Sequence, residues 1–259
     1  DSLLKELPKA KEDTNKVKIL SEISFAYYLT NPDKGLEYAT QSLALAQKLN
    51  WKIGIADAYN CYGVIYWIKS QYPKALEYYF RGLKIYEELG DKSGIASNLV
   101  NIGVLYRNNS DNPKALKYLF KALRVFEELG DKSGIAITLS DLVTIYSDTY
   151  DYSKASEFCF RGLKIYEELG DKEGIALNLS YLGFIYCNQY DYPKALEYYF
   201  KALKINEELG YKRRIGGNLC NIGELYITLS KDTNFAKINE RNEFVGLTKE
   251  INIRNGIKY

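Results

Sequence analysis

An all-α array of stacked helix-turn-helix units is the fold this sequence predicts. Three observations carry that reading: a 40-residue period, apolar residues at helical spacing inside each period, and proline and glycine where helices should start and stop. The run GDKSGIA at Gly90 to Ala96 returns unchanged at Gly130 to Ala136, and as GDKEGIA at Gly170 to Ala176. Between these markers, YPKALEYYFRGLKIYEEL (Tyr72 to Leu89) returns as NPKALKYLFKALRVFEEL (Asn112 to Leu129), YSKASEFCFRGLKIYEEL (Tyr152 to Leu169) and YPKALEYYFKALKINEEL (Tyr192 to Leu209).

Each unit reads as two amphipathic helices. Ile95, Leu99, Ile102 and Leu105 share one face of the first, and Leu116, Phe120, Leu123 and Phe126 share one face of the second. Pro73, Pro113 and Pro193 mark the start of second helices, where proline loses no needed hydrogen bond. Gly90, Gly130, Gly170 and Gly210 close them by supplying the left-handed residue of a C-cap. Asp91, Asp131 and Asp171 follow as expected N-caps, with the neighbouring serine as the alternative. The glycines of G-D-K-S-G therefore read as punctuation and not as a phosphate cradle, since the spacing and the preceding strand of such a loop are missing. Two helices cannot bury their apolar faces alone, so successive units must stack and share a core.

The expected organisation is one domain over 1–259. It comprises a leading helix at 1–13, a diverged unit at 14–53, clear units at 54–93, 94–133, 134–173 and 174–213, a partial unit at 214–238, and a tail or cap at 239–259.

Composition narrows the function. Of 259 residues, 46% are hydrophobic and 26% charged, within the range of folded globular chains. The 35 Lys and Arg nearly balance the 33 Asp and Glu, so the chain has no general attraction for phosphate backbones, and nucleic acid is not an expected partner. Histidine is absent, which removes the usual general base and the commonest metal ligand. Cys61, Cys159, Cys187 and Cys220 lie far apart with no C-x-x-C spacing, so they read as small hydrophobes and not as a zinc or redox site. No nucleophile with a base, no metal set and no cofactor motif is recognisable, so neither an enzyme nor a cofactor is expected. No apolar run approaches the ~20 residues needed to cross a bilayer, so membrane insertion is not expected. Methionine is missing even at position 1, which suggests a processed or trimmed chain. The expected compartment is the cytoplasm, with the periplasm as the alternative.

On these residues the chain resembles the tetratricopeptide repeat family, in its longer form. Gly63, Gly103, Gly183 and Gly223 occupy that family's small position in the first helix, and Tyr66, Tyr106, Tyr146, Tyr186 and Tyr226 its aromatic position three residues on. Ala75, Ala115, Ala155 and Ala195, then Gly82, Ala122, Gly162 and Ala202, occupy its two small positions in the second helix. Val143 departs from the glycine, so that helix pair is expected to spread slightly; Gly35 replaces the alanine in the diverged unit. Tyr78, Tyr79, Tyr198 and Tyr199 read as packing between units. The EEL runs read as a solvated face with i,i+4 pairs to Lys84, Arg124, Lys164 and Lys204.

The resemblance implies a right-handed superhelix whose first helices line the concave surface. It makes a candidate peptide groove of Asn60, Asn101, Ser140, Asp141, Ser180, Tyr181 and Asn221 in one band. Trp67, Arg107, Asn108, Asp148, Phe184, Asn188 and Glu224 follow one or two turns on. Asparagine both donates and accepts, so such a ladder can pair with the main chain of an extended ligand. Arg107 could meet an acidic ligand side chain, and Trp67, Tyr181 and Phe184 could serve as aromatic anchors. The competing reading makes these residues solvated helix faces and hydrogen bonds between units. The carboxylate-clamp pattern of some family members is absent.

The expected function is a protein-interaction scaffold with a protein or peptide ligand. The wording of the repeats also resembles arrays ahead of bacterial histidine kinases, cyclases and transcription regulators, so a regulatory segment of a larger signalling protein is one alternative. Self-association of an open-ended array is another.

Overall fold

The computed structural model describes residues 2–231, and the expected tail at 239–259 lies outside them. Among the described residues there are twelve α-helices, one 3-10 turn and no strand. A leading helix α1 (Ser2–Glu6) and the 3-10 turn Leu7–Lys9 precede the first pair. The helix pairs are α2 (Thr14–Tyr27) with α3 (Pro32–Lys48), α4 (Lys52–Ile68) with α5 (Tyr72–Leu89), α6 (Lys92–Asn108) with α7 (Asn112–Leu129), α8 (Lys132–Asp148) with α9 (Tyr152–Leu169), and α10 (Lys172–Asn188) with α11 (Tyr192–Leu209); α12 (Lys212–Lys231) follows. The chain divides into two compact units, residues 1–169 and 170–259.

The punctuation works as its chemistry requires. Gly90, Gly130, Gly170 and Gly210 hold φ between 66° and 71° and end the second helices. Asp91 and Asp131 accept from the amides of Gly94 and Gly134, and Asp171 from those of Glu173 and Gly174, so the aspartate and not the serine is the cap. The turn from first to second helix also needs a left-handed residue, and here it is not glycine: Ser70, Ser110, Tyr150 and Tyr190 hold φ of 57° to 63°.

Inside each pair, one small and one large side chain meet where the helices cross. A Cβ on Gly103 would lie 2.7 Å from Leu119, and one on Gly183 would lie 2.6 Å from Tyr199; Gly63 is covered in the same way by Tyr79. Where Val143 replaces the glycine, the residue at the same register of the second helix is Cys159, and both are fully buried. Ile23 and Ala39 repeat that inversion in the first pair, both buried. Close packing at this crossing needs a fixed sum of volumes, and either helix can supply the larger share.

Three further expectations are corrected. Tyr79 and Tyr199 fill crossings within a pair, and Tyr78 and Tyr198 stack on Tyr66 and Tyr186 of their own pairs at 5.4 Å, so none of the four is chiefly a contact between units. Packing between second helices falls instead to Phe80 on Tyr118 and Phe120 on Phe158, each 6.0 Å edge to face. The second glycine of G-D-K-S-G is not punctuation: Gly94 and Gly134 sit inside helices, against the rings of Tyr86 and Phe126 from the preceding helix, and any Cβ there would collide with the ring. Finally, the glutamates of the EEL runs pair mainly across their own unit. Lys92 meets Glu128 at 3.1 Å, Lys132 meets Glu168 at 2.8 Å and Lys172 meets Glu208 at 3.0 Å, while Arg124 to Glu128 supplies the i,i+4 type. Glu12 and Lys48 make the same bridge with the charges exchanged, at 2.6 Å.

Candidate functional site

In the unit covering residues 2–169, polar contacts join each first helix to the next. Cys61 Sγ on α4 donates to the Ser21 carbonyl on α2 at 3.7 Å, Asn101 Nδ2 on α6 donates to Asn60 Oδ1 on α4 at 2.9 Å, and Arg107 Nη1 on α6 meets Asp141 Oδ1 on α8 at 3.1 Å. These are three separate polar contacts between successive first helices. Second helices in this unit meet mainly through phenylalanine edges and the Arg161 to Glu127 ion pair. The first-helix face is thus polar and ordered, which is the property a binding surface for main-chain groups needs.

The structure places the sequence-predicted residues in two sets. In the first unit, Asn60 and Asn101 are half-buried and spend one hydrogen bond on each other. Ser140 turns its hydroxyl back to the Ala136 carbonyl at 3.1 Å. Asn108 and Asp148 end their helices exposed, and Trp67 is half-buried near the end of α4. In the second unit, Ser180 donates to the Ala176 carbonyl at 3.0 Å, and Asn188 donates to the Phe184 carbonyl at 2.8 Å. Phe184 keeps 43% of its surface exposed. Tyr181 and Asn221 are half-buried and Glu224 is exposed.

Two features escaped the sequence reading. Arg107 is already paired with an acid of its own chain. Asn218 is buried and donates to Ser180 Oγ at 3.1 Å, tying α12 to α10. Asn218 belongs to a register also occupied by Asn98, Thr138 and Asn178, all buried, whose side chains bond the carbonyls of Gly94, Gly134 and Gly174 four residues back. A polar residue recurring at a core position of the 40-residue period was the available signal for this column.

Burial sets the electrostatics. It raises the Asp141 carboxyl to about 6, with the Arg107 charge and hydrogen bond opposing. It also pushes the Cys61 thiol up to about 11, away from the thiolate range in which cysteine is reactive. Tyr86 donates to Asp57, whose carboxyl burial likewise raises. Among the described residues no group of three His, Cys, Asp or Glu side chains is placed to hold a metal ion, and no helix is long and apolar enough to cross a membrane.

The tetratricopeptide repeat family model matches residues 94–168, and a second tetratricopeptide repeat model matches 179–209. No curated protein matches the sequence. Among solved structures, the chain is similar to the apo form of the quorum sensor NprR from B. thuringiensis (TM-score 0.68, 17% identity, covering 96% of this chain and 69% of that one). It is similar to BtubC from P. vanneervenii (0.66, 21%, 76% and 81%). It is also similar to a Rap protein complexed with competence and sporulation factor (0.65, 17%, 88% and 68%). At these identities the likeness is one of fold. With the 40-residue period, the small-on-large crossings and the aspartate-capped first helices, the matches make the chain a member of the tetratricopeptide repeat family.

Proposed function

We propose that the chain is a protein-interaction module that holds an extended protein or peptide segment along its first-helix faces. The observation that carries this reading is the set of polar contacts between successive first helices, Cys61 to Ser21, Asn101 to Asn60 and Arg107 to Asp141, which orders donors and acceptors there. Each asparagine there has spent one group internally and keeps others for a ligand backbone. Exposed Asn108 and Asp148 extend the face in the first unit, and Phe184 offers an aromatic anchor in the second. The likeness to a Rap protein crystallised with competence and sporulation factor supports the same reading. Peptides selected on the wild-type chain from a random display library test it. Their binding should weaken at least about tenfold in Asn108→Ala or Phe184→Ala, the cost of losing one well-used contact. Equal binding by both variants and the wild type would remove the first-helix faces from the account.

A second reading, a regulatory segment within a larger signalling protein, is favoured by the likeness to a quorum sensor. It is compatible with the first, since the bound segment would then be the signal. The gene sequence on either side of these residues tests it: an open frame continuing into a catalytic or DNA-binding domain supports it, and stop codons at the boundaries count against it.

A further inference from the structure

We propose that Arg107 is a receptor for a carboxylate side chain of the bound segment, closed in the free protein by Asp141 and opened when Asp141 takes up a proton. This rests on the first-helix face being the binding face, and it names the chemistry that face prefers and the condition that controls it.

The geometry is that of a weakly closed latch. The pair joins α6 to α8 through a single Nη1 to Oδ1 contact of 3.1 Å, although a guanidinium offers five donors and can grip a carboxylate with two at once. The side chains are 21% and 19% exposed, so the pair is neither sealed in the core nor bathed in water. Once turned away from Asp141, the guanidinium can grip a ligand carboxylate with two of its donors at once. From α6, the charged group facing Asp141 is Arg107; among the described residues no charged side chain of α7 or α9 acts on its carboxyl. Ionised Asp141 therefore depends on one partner.

Burial makes that dependence costly. The Asp141 carboxyl stands near 6 even with Arg107 beside it, so Arg107 offsets only part of the desolvation. When Arg107 turns to a ligand, its opposing influence is lost and the Asp141 pKa rises further. Binding of an acidic segment then takes up one proton from solvent, because the bound state holds Asp141 protonated at pH values where the free state does not. Affinity for acidic segments should increase as pH falls from 8 towards 6. It should level off below about 6, where the free protein is already protonated.

The test uses two acetylated, amidated octapeptides, one alternating Glu with Gly and the other Gln with Gly. Each is titrated into the wild-type chain at pH 8, 7 and 6 by calorimetry and by amide NMR. The Glu peptide should bind about tenfold more tightly at pH 6 than at pH 8, with proton uptake visible as a dependence on buffer ionisation heat. The Gln peptide should show no pH dependence. Asp141→Asn, which mimics the protonated acid, should bind the Glu peptide equally at all three pH values; Arg107→Met should lose the preference for Glu over Gln.

If both peptides perturb the Asn60 and Asn101 signals but the Glu peptide shows neither preference nor pH dependence, the latch is wrong and the binding face stands. If perturbations fall only on second helices, the face itself is wrong and the latch falls with it. Binding of neither peptide at pH 6 also overturns the latch, because Arg107 is then unmasked and still finds no use.

Discussion

The junctions that join one helix to the next pair are built differently in the middle of the chain and at α12. At α5 to α6 and α7 to α8, the rings of Tyr86 and Phe126 lie on Gly94 and Gly134, a dry contact with no space for a Cβ. At α11 to α12, the same two registers hold Asn206 and Arg214. There, Asn206 donates to Asn218 at 3.2 Å, and Arg214 reaches Glu173 at 2.6 Å. Asn206 Oδ1 and Arg214 Nη1 are buried without a protein partner. An aromatic ring on glycine gains apolar burial, whereas a polar junction mostly exchanges water for protein partners at little net gain. The lesson is that one repeat geometry can be closed with two chemistries of unequal strength, so α12 should open before α6 or α8.

The largest expected effect comes from emptying a dry junction. Phe126→Ala should lower unfolding free energy by about 3–5 kcal/mol in denaturant titration, the usual range for a buried aromatic. Asn206→Ala, at the matching register, should cost less, about 1–3 kcal/mol, chiefly because it leaves the buried Asn218 Oδ1 without its donor. Near-equal losses would erase the distinction.

Next in size is the crossing within a pair. Gly103→Val should cost about 1–3 kcal/mol by collision with Leu119, and adding Leu119→Cys should return most of it, since Val143 and Cys159 already make that combination. Failure of the second change to help would mean that the inverted pairs are not volume exchanges.

This crossing also shows where sequence reading reached and where it stopped. The helix pairs were legible because Pro73 and Gly90, with their equivalents, act on their own backbone, and because the 40-residue period shows each pattern several times. The aspartate caps were legible for the same local reason. Contacts between helices were not. Nothing near Gly94 says that a ring from Tyr86 covers it, nothing near Val143 points to Cys159, and Lys92 stands 36 residues from Glu128. At the candidate site, the choice of the first-helix face with its asparagines, Arg107 and Asp141 came from the family resemblance. That Asn60 holds Asn101 and that Asp141 holds Arg107 depends on how far apart neighbouring first helices sit, which the period alone does not fix.

Rebuilding the polar junction sharpens the comparison further. Asn206→Tyr combined with Arg214→Gly should install the ring-on-glycine contact and raise the free energy of opening α12 by about 1–2 kcal/mol, read as slower amide exchange in that helix. Unchanged or faster exchange would show that the Glu173 pair matters more than apolar burial.

The smallest effect concerns the inner turns. Tyr150 holds φ of 62° with 78% of its surface exposed, a conformation costly for any side chain and repaid by little packing. Tyr150→Gly should therefore stabilise the chain by about 0.5–1 kcal/mol in thermal melts. A loss of stability would mean that its ring contact with Tyr152 outweighs the backbone strain.

The most direct test of the functional account is a hydrogen-exchange footprint of the chain with a display-selected peptide bound. Protection should gather on α4, α6 and α8 around Asn60, Asn101 and Asp141, or on α10 around Phe184. Protection confined to the second helices, along Phe80, Phe120 and Phe160, would contradict it.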